Sequence, residues 1–121
     1  SKSEGGVAIG LPLVILTDGG TASASEVVTG ALKDYNAAVT VGTTTFGKGV
    51  VQLPFELKSG IGGLKVTVSK YYTPKGEDIN KKGIIPDYEV KLTEEDVNKD
   101  YSKDTDPQLQ KGIEVIKDMI K

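Results

Sequence analysis

The sequence predicts an α/β domain, because three stretches near its start alternate in character: an apolar run ending at Thr17, a helical pattern over roughly Ala24 to Tyr35, and a second β-rich run, Ala37 to Gly42. The first run, Val7 to Thr17, is nearly all apolar in its second half, the pattern of a central strand buried on both faces. Asp18-Gly19-Gly20 is turn chemistry. Beyond it Val27, Val28, Ala31, Leu32 and Tyr35 recur at the 3.6-residue period, with Lys33 and Asp34 off that face, so an amphipathic helix is expected. Strand, helix and returning strand form a crossover unit that should be right-handed.

The character changes at Val50. Val50 to Leu57 and Leu64 to Tyr72 flank the glycine-rich Ser59-Gly60-Ile61-Gly62-Gly63, and the second run alternates with period two, which predicts a β-hairpin with one wet face. Pro54 marks its strand as an edge or a bulge. A short strand, Tyr88 to Leu92, follows two turn segments, and the polar stretch Thr93 to Thr105 reads as a surface connection. Asp106 before Pro107 is an N-cap followed by proline at the first helical position, and Leu109, Ile113, Ile116 and Ile120 then recur at helical spacing, so the chain should close on a helix.

Composition narrows the chemistry. With 121 residues the chain has the length of one domain, residues 1–121. Fifteen basic and seventeen acidic residues give a net charge of −2, with the lysines scattered among acids, which argues against a nucleic-acid partner. No apolar run approaches the ~20 residues of a membrane span. The chain has no histidine and no cysteine, so disulfides and thiolate metal sites are excluded, and its side chains must run any hydrolysis without imidazole or thiolate. A serine activated by a lysine is the arrangement that survives.

Two stretches supply such a pair: Thr21-Ala22-Ser23-Ala24-Ser25-Glu26 and Gly42-Thr43-Thr44-Thr45-Phe46-Gly47-Lys48-Gly49. Ser23 falls where strand becomes helix, near the unpaired N–H groups and positive dipole end of the first turn, a setting that suits a developing oxyanion. Ser23 with Glu26 three residues on is equally a capping box. Ser25 is a competing nucleophile, placed further into the helix, where its hydroxyl is expected to bond a carbonyl one turn back. Lys48 stands between two glycines, and in an extended strand Lys48, Val50 and Gln52 share a face. A lysine of ordinary pKa, about 10.4, is a poor base, and bringing it near 7 takes roughly 4 kcal/mol of preference for the neutral amine. Lys48 should therefore be desolvated and free of a carboxylate partner; a solvated lysine at a loop tip is the alternative. Gly42-x-x-x-x-Gly47-Lys48 also begins a P-loop, but Gly49 stands where serine or threonine should hold magnesium, and a β-branched, proline-bearing run follows in place of a helix.

These motifs, with Gln52, Tyr72-Thr73-Pro74-x-Gly76 and Gly83-Ile84-Ile85-Pro86-Asp87, resemble in order and spacing the C-terminal half of the carboxy-terminal processing peptidases, also called tail-specific proteases. The resemblance implies a ClpP/crotonase-like α/β core. It makes Ser23 the nucleophile, Lys48 the general base and Gln52 the residue that orients the lysine, with the Ala24 N–H as one oxyanion donor, and it implies no cofactor and no metal. It further implies polypeptide substrates cut near their C-termini and an extracytoplasmic location. The PDZ domain and the upstream glycine-bearing segment usual in the family have no counterpart in these 121 residues, so an incomplete catalytic piece that serves only as a folded or interaction domain is the alternative reading. Sheet edge left open by missing strands would favour a homodimer.

Overall fold

The computed structural model describes residues 5–99 and 102–121. Its elements are β1 (Val14–Thr17), α1 (Ala24–Asp34), β2 (Val39–Gly42), β3 (Val50–Glu56), β4 (Gly63–Lys70), β5 (Tyr88–Glu89), α2 (Glu94–Asn98) and α3 (Pro107–Ile120). The α/β class expected from the sequence is what forms: β1, β2 and β5 make a parallel three-stranded sheet, and β3 and β4 a separate antiparallel hairpin.

Side chains alternate across a strand, so β1 and β2 present two faces. Val14 and Leu16 look toward α3, where Gly112 has no Cβ to fend them off; a Cβ there would stand 3.1 Å from Leu16 Cδ2 and 3.4 Å from Val14 Cγ1. Thr40 looks the other way, toward α1, whose Lys33 reaches it and pairs with Asp87. The two helices thus cover opposite faces, with Val41 fully buried in the sheet. α3 starts as its sequence specifies: Asp106 accepts the N–H groups of Gln108 at 2.9 Å and Leu109 at 3.1 Å, ahead of Pro107. It is tied to the third strand by Lys111, 5.2 Å from the ring centre of Tyr88.

Four expectations are corrected. The first strand is an edge strand four residues long, and β2 is central. Residues 7–10 form a turn with Gly10 at φ 81°, and Pro12 has no N–H to give a ladder, so pairing begins only at Val14. On α1 the buried residues are Glu26, Thr29 and Gly30, while Val27, Val28 and Tyr35 are exposed. The face that packs is selected by the Glu26 carboxylate and by Gly30, which lets Thr73 and Ile84 approach the helix, and apolar periodicity does not see either. The surface connection contains the short helix α2, started by a capping box of Thr93 and Asp96, with Asp100 and Tyr101 outside the described residues. The hairpin forms as read, with a bulge at Val68 in β4 and Pro54 on an edge, but both its faces are largely exposed.

Candidate active site

β1 and β2 run parallel, so the segments leaving their C-terminal ends lie side by side, the usual place for a site in such a sheet. One of these segments carries Ser23 and the other Lys48. They are stitched together from the start: Thr17 Oγ1 donates to the Thr43 carbonyl at 2.9 Å, Thr43 N–H to the Thr17 carbonyl at 2.8 Å, and Phe46 N–H to the Thr21 carbonyl at 2.9 Å.

Ser23 sits at φ 58°, ψ −119°, a conformation costly for any residue with a Cβ. An ordinary N-cap is extended, so this is a sharper turn than capping requires. Glu26 supplies its half of the capping box, accepting the Ser23 N–H at 2.9 Å, whereas the Ser23 hydroxyl lies only loosely toward the first turn and makes no cap hydrogen bond of ordinary geometry. The Ala24 N–H, at the start of the helix, donates to no acceptor among the described residues. Ser25 is exposed and lines a groove between α1 and β1 with Leu13 and Val28; its carbonyl accepts the Thr29 hydroxyl at 2.8 Å.

The hub of the site is Glu26, whose side chain is fully buried. One carboxylate oxygen accepts Thr45 Oγ1 at 2.6 Å and the Gly47 N–H at 2.7 Å; the other accepts the Lys48 N–H at 2.8 Å and the Ser23 N–H at 2.9 Å. Because Ser23 N and Lys48 N share one oxygen, their separation cannot exceed the sum of those last two distances. Burial pushes the Glu26 carboxyl pKa up, but the hydrogen bonds from Thr45, Gly47, Lys48 and Ser23 outweigh it and hold it below the ordinary value. They also dispose of the phosphate-cradle reading. The N–H groups of Gly47 and Lys48 that would hold a phosphate hold the protein's own carboxylate, and a strand follows the loop.

A second bridge comes from the far side. The Tyr71 hydroxyl has one hydrogen, and the Ser23 carbonyl, 3.1 Å away, and the Lys48 carbonyl share it as a bifurcated hydrogen bond. Neither bridging residue announces this role in the sequence: Glu26 is legible there only as a cap partner, and Tyr71 only as one position of an alternating strand.

Lys48 is half-buried and makes no ion pair among the described residues. Gln52 is half-buried on β3, and its Nε2 donates to Thr67 Oγ1 across the hairpin at 3.3 Å; no hydrogen bond joins it to Lys48. The lysine loop is pressed against the segment 79–83. Gly47 has φ 86° and a Cβ there would lie 2.8 Å from Gly83 N, while Gly83 has φ 71° and its Cβ would lie 2.2 Å from the Thr45 carbonyl oxygen. A methyl at Gly83 must displace backbone, so Gly83→Ala is expected to lower stability by about 2 kcal/mol or more, read as a lower urea midpoint with an unchanged slope. An unchanged midpoint would show that the two loops are not in this contact.

Acid should open the site. Asp87, its pKa raised by burial but lowered more by Lys33 and by the backbone and hydroxyl of Thr40, also titrates below its ordinary value. Groups with folded pKa values below their unfolded ones stabilise above the unfolded pKa, and that contribution is lost as pH falls through the folded one. The urea midpoint is therefore expected to be flat near neutrality and to fall below about pH 4. In Glu26→Gln, which has no carboxylate at that position, the fall should be shallower.

The family model "Peptidase family S41" matches residues 1–90. A carboxyl-terminal-processing protease of Picosynechococcus is 48% identical over 105 residues, 87% of this chain and 25% of that protein. One from Synechocystis is 53% identical over 85 residues, 70% of this chain and 20% of that protein. Among solved structures, the photosystem II D1 C-terminal processing protease superposes with a TM-score of 0.61 at 51% identity, covering 66% of this chain and 20% of that one. The chain belongs to peptidase family S41, and it spans a fifth to a quarter of the length of these relatives.

Proposed function

We propose that this chain carries the reacting groups of a serine endopeptidase of the carboxy-terminal processing type. The observation that carries the reading is the pair of bridges, the Glu26 carboxylate and the Tyr71 hydroxyl, each of which touches the backbone of both Ser23 and Lys48. Ser23 Oγ attacks the scissile carbonyl of a polypeptide while Lys48 Nζ takes the hydroxyl proton, and the Ala24 N–H stabilises the oxyanion. The C–N bond then breaks, with Lys48 returning the proton to the leaving amine. Water, deprotonated by Lys48, attacks the ester carbonyl, and the acyl C–Oγ bond breaks as Lys48 gives that proton to Ser23 Oγ, which restores both residues. Gln52, held through its Nε2 by Thr67, keeps its Oε1 to accept from the lysine. No metal or cofactor enters this scheme.

The family likeness supports an extracytoplasmic place of action; among the described residues no helix is long and apolar enough to cross a membrane. The exposed Leu16, Val27, Val28, Leu53 and Phe55 and the edge of β1 that is unpaired among the described residues support self-association of this chain as a homodimer, which light scattering checks.

A fluorophosphonate probe tests the reading. Labelling should appear in the unmodified protein and vanish in Ser23→Ala. The second reading is a catalytically incomplete piece that acts as a folded or interaction domain. It predicts a folded chain with no labelling at any pH.

A further inference from the structure

We propose that Tyr71 is a positioning residue for this site, acting through the two carbonyls it touches; the proposal rests on the Ser23–Lys48 reading above. A trans peptide is planar, so the Ser23 carbonyl and the Ala24 N–H point in opposite directions along one rigid unit. Whatever fixes the carbonyl aims the N–H.

The Ser23 carbonyl already accepts the helix's own N–H groups, from Glu26 at 2.9 Å and Val27 at 3.1 Å. The Tyr71 hydroxyl, at 3.1 Å, is the donor that reaches it from outside the helix. It holds the peptide of a residue in a strained conformation against relaxation, and by polarising the carbonyl it makes the Ala24 N–H a stronger donor to an oxyanion on the opposite side. The Lys48 carbonyl shares that one hydroxyl hydrogen, and the Tyr71 N–H donates to the Gly49 carbonyl at 3.1 Å. Tyr71 thus ties the plane of the oxyanion donor to the loop that carries the base.

The phenol must stay protonated to do this. Burial, and secondly the negative charge of Glu26, raise its pKa above the ordinary tyrosine value, so the donor is retained through the neutral and mildly alkaline range.

The test is Tyr71→Phe in the intact protein, with the burst of acyl-enzyme formation measured alongside steady-state rates. The ring stays and the hydroxyl goes. The expected result is a full burst amplitude with an acylation rate about tenfold lower and KM within twofold, less than the 10²–10³ that losing a direct oxyanion donor costs. A purely structural tyrosine would reduce the amplitude, through inactive molecules, and leave the rate per active site unchanged; that outcome overturns the proposal. A difluorotyrosine at position 71, with a more acidic phenol, should restore the rate at low pH and lose it as the phenol ionises, adding an alkaline limb that the unmodified protein lacks. If that limb is missing, the hydroxyl is not the working donor. Loss of Lys48-dependent acylation already in the unmodified protein overturns the Ser23–Lys48 reading itself, and this proposal with it.

Discussion

Lys48→Ala is expected to cut the rate of acylation at Ser23 by about 10²–10⁴-fold at neutral pH while leaving the fold intact. The amine is the only base the scheme offers, since the chain has no histidine and the carboxylate that bridges the two loops, Glu26, is occupied by four hydrogen bonds. Because the Lys48 side chain makes no ion pair among the described residues, its removal should cost little stability. The backbone N–H that Glu26 uses is kept in the alanine variant. Stopped-flow acylation with an activated ester, beside thermal unfolding, separates the two effects. A rate within threefold of the unmodified protein would remove Lys48 from the chemistry.

Glu26→Gln is expected to be the most destabilising isosteric change at the site, by about 3 kcal/mol, or roughly ten degrees in melting temperature. Each carboxylate oxygen accepts two donors, and at least one of each pair is a backbone N–H that cannot turn away. An amide offers one oxygen, so in either orientation its NH₂ meets an N–H in a buried place. If the NH₂ faces Ser23 and Lys48, the link between their loops opens, and acylation should slow at least tenfold in the molecules that remain folded. A variant with unchanged melting temperature would show that the four bonds do not form in solution.

Much of this architecture was legible because local signals and tertiary needs agreed. Asp106-Pro107 starts α3, the crossover unit from β1 to β2 forms, and the glycine-rich turn closes the hairpin. The helix α1 was read in the right place with the wrong face inward. Periodicity counts apolar residues, whereas a carboxylate that collects four donors and a glycine that admits two neighbours decided what was buried. Likewise the apolar composition of β1 suggested a central strand, but strand order follows from pairing partners, which no single segment encodes. At the site, the residues of the Ser-Lys hypothesis stood out as types at a spacing. The groups that bring their backbones together did not. Tyr71 lies 48 residues from Ser23 and 23 from Lys48, and a contact of that range leaves no local pattern. Gln52 shows the converse: its placement on β3 was legible, while its bond to Thr67 depends on the register of the partner strand.

The central claim is that Ser23 Oγ, Lys48 Nζ and the Ala24 N–H converge on one reacting carbonyl. A crystal structure of the protein trapped as a covalent adduct with a peptidyl phosphonate tests it most directly. The account predicts phosphorus on Ser23 Oγ, a phosphonyl oxygen within hydrogen-bond distance of Ala24 N, and Lys48 Nζ beside Oγ. An adduct on Ser25, or Lys48 Nζ turned to solvent away from an adduct on Ser23, would contradict it.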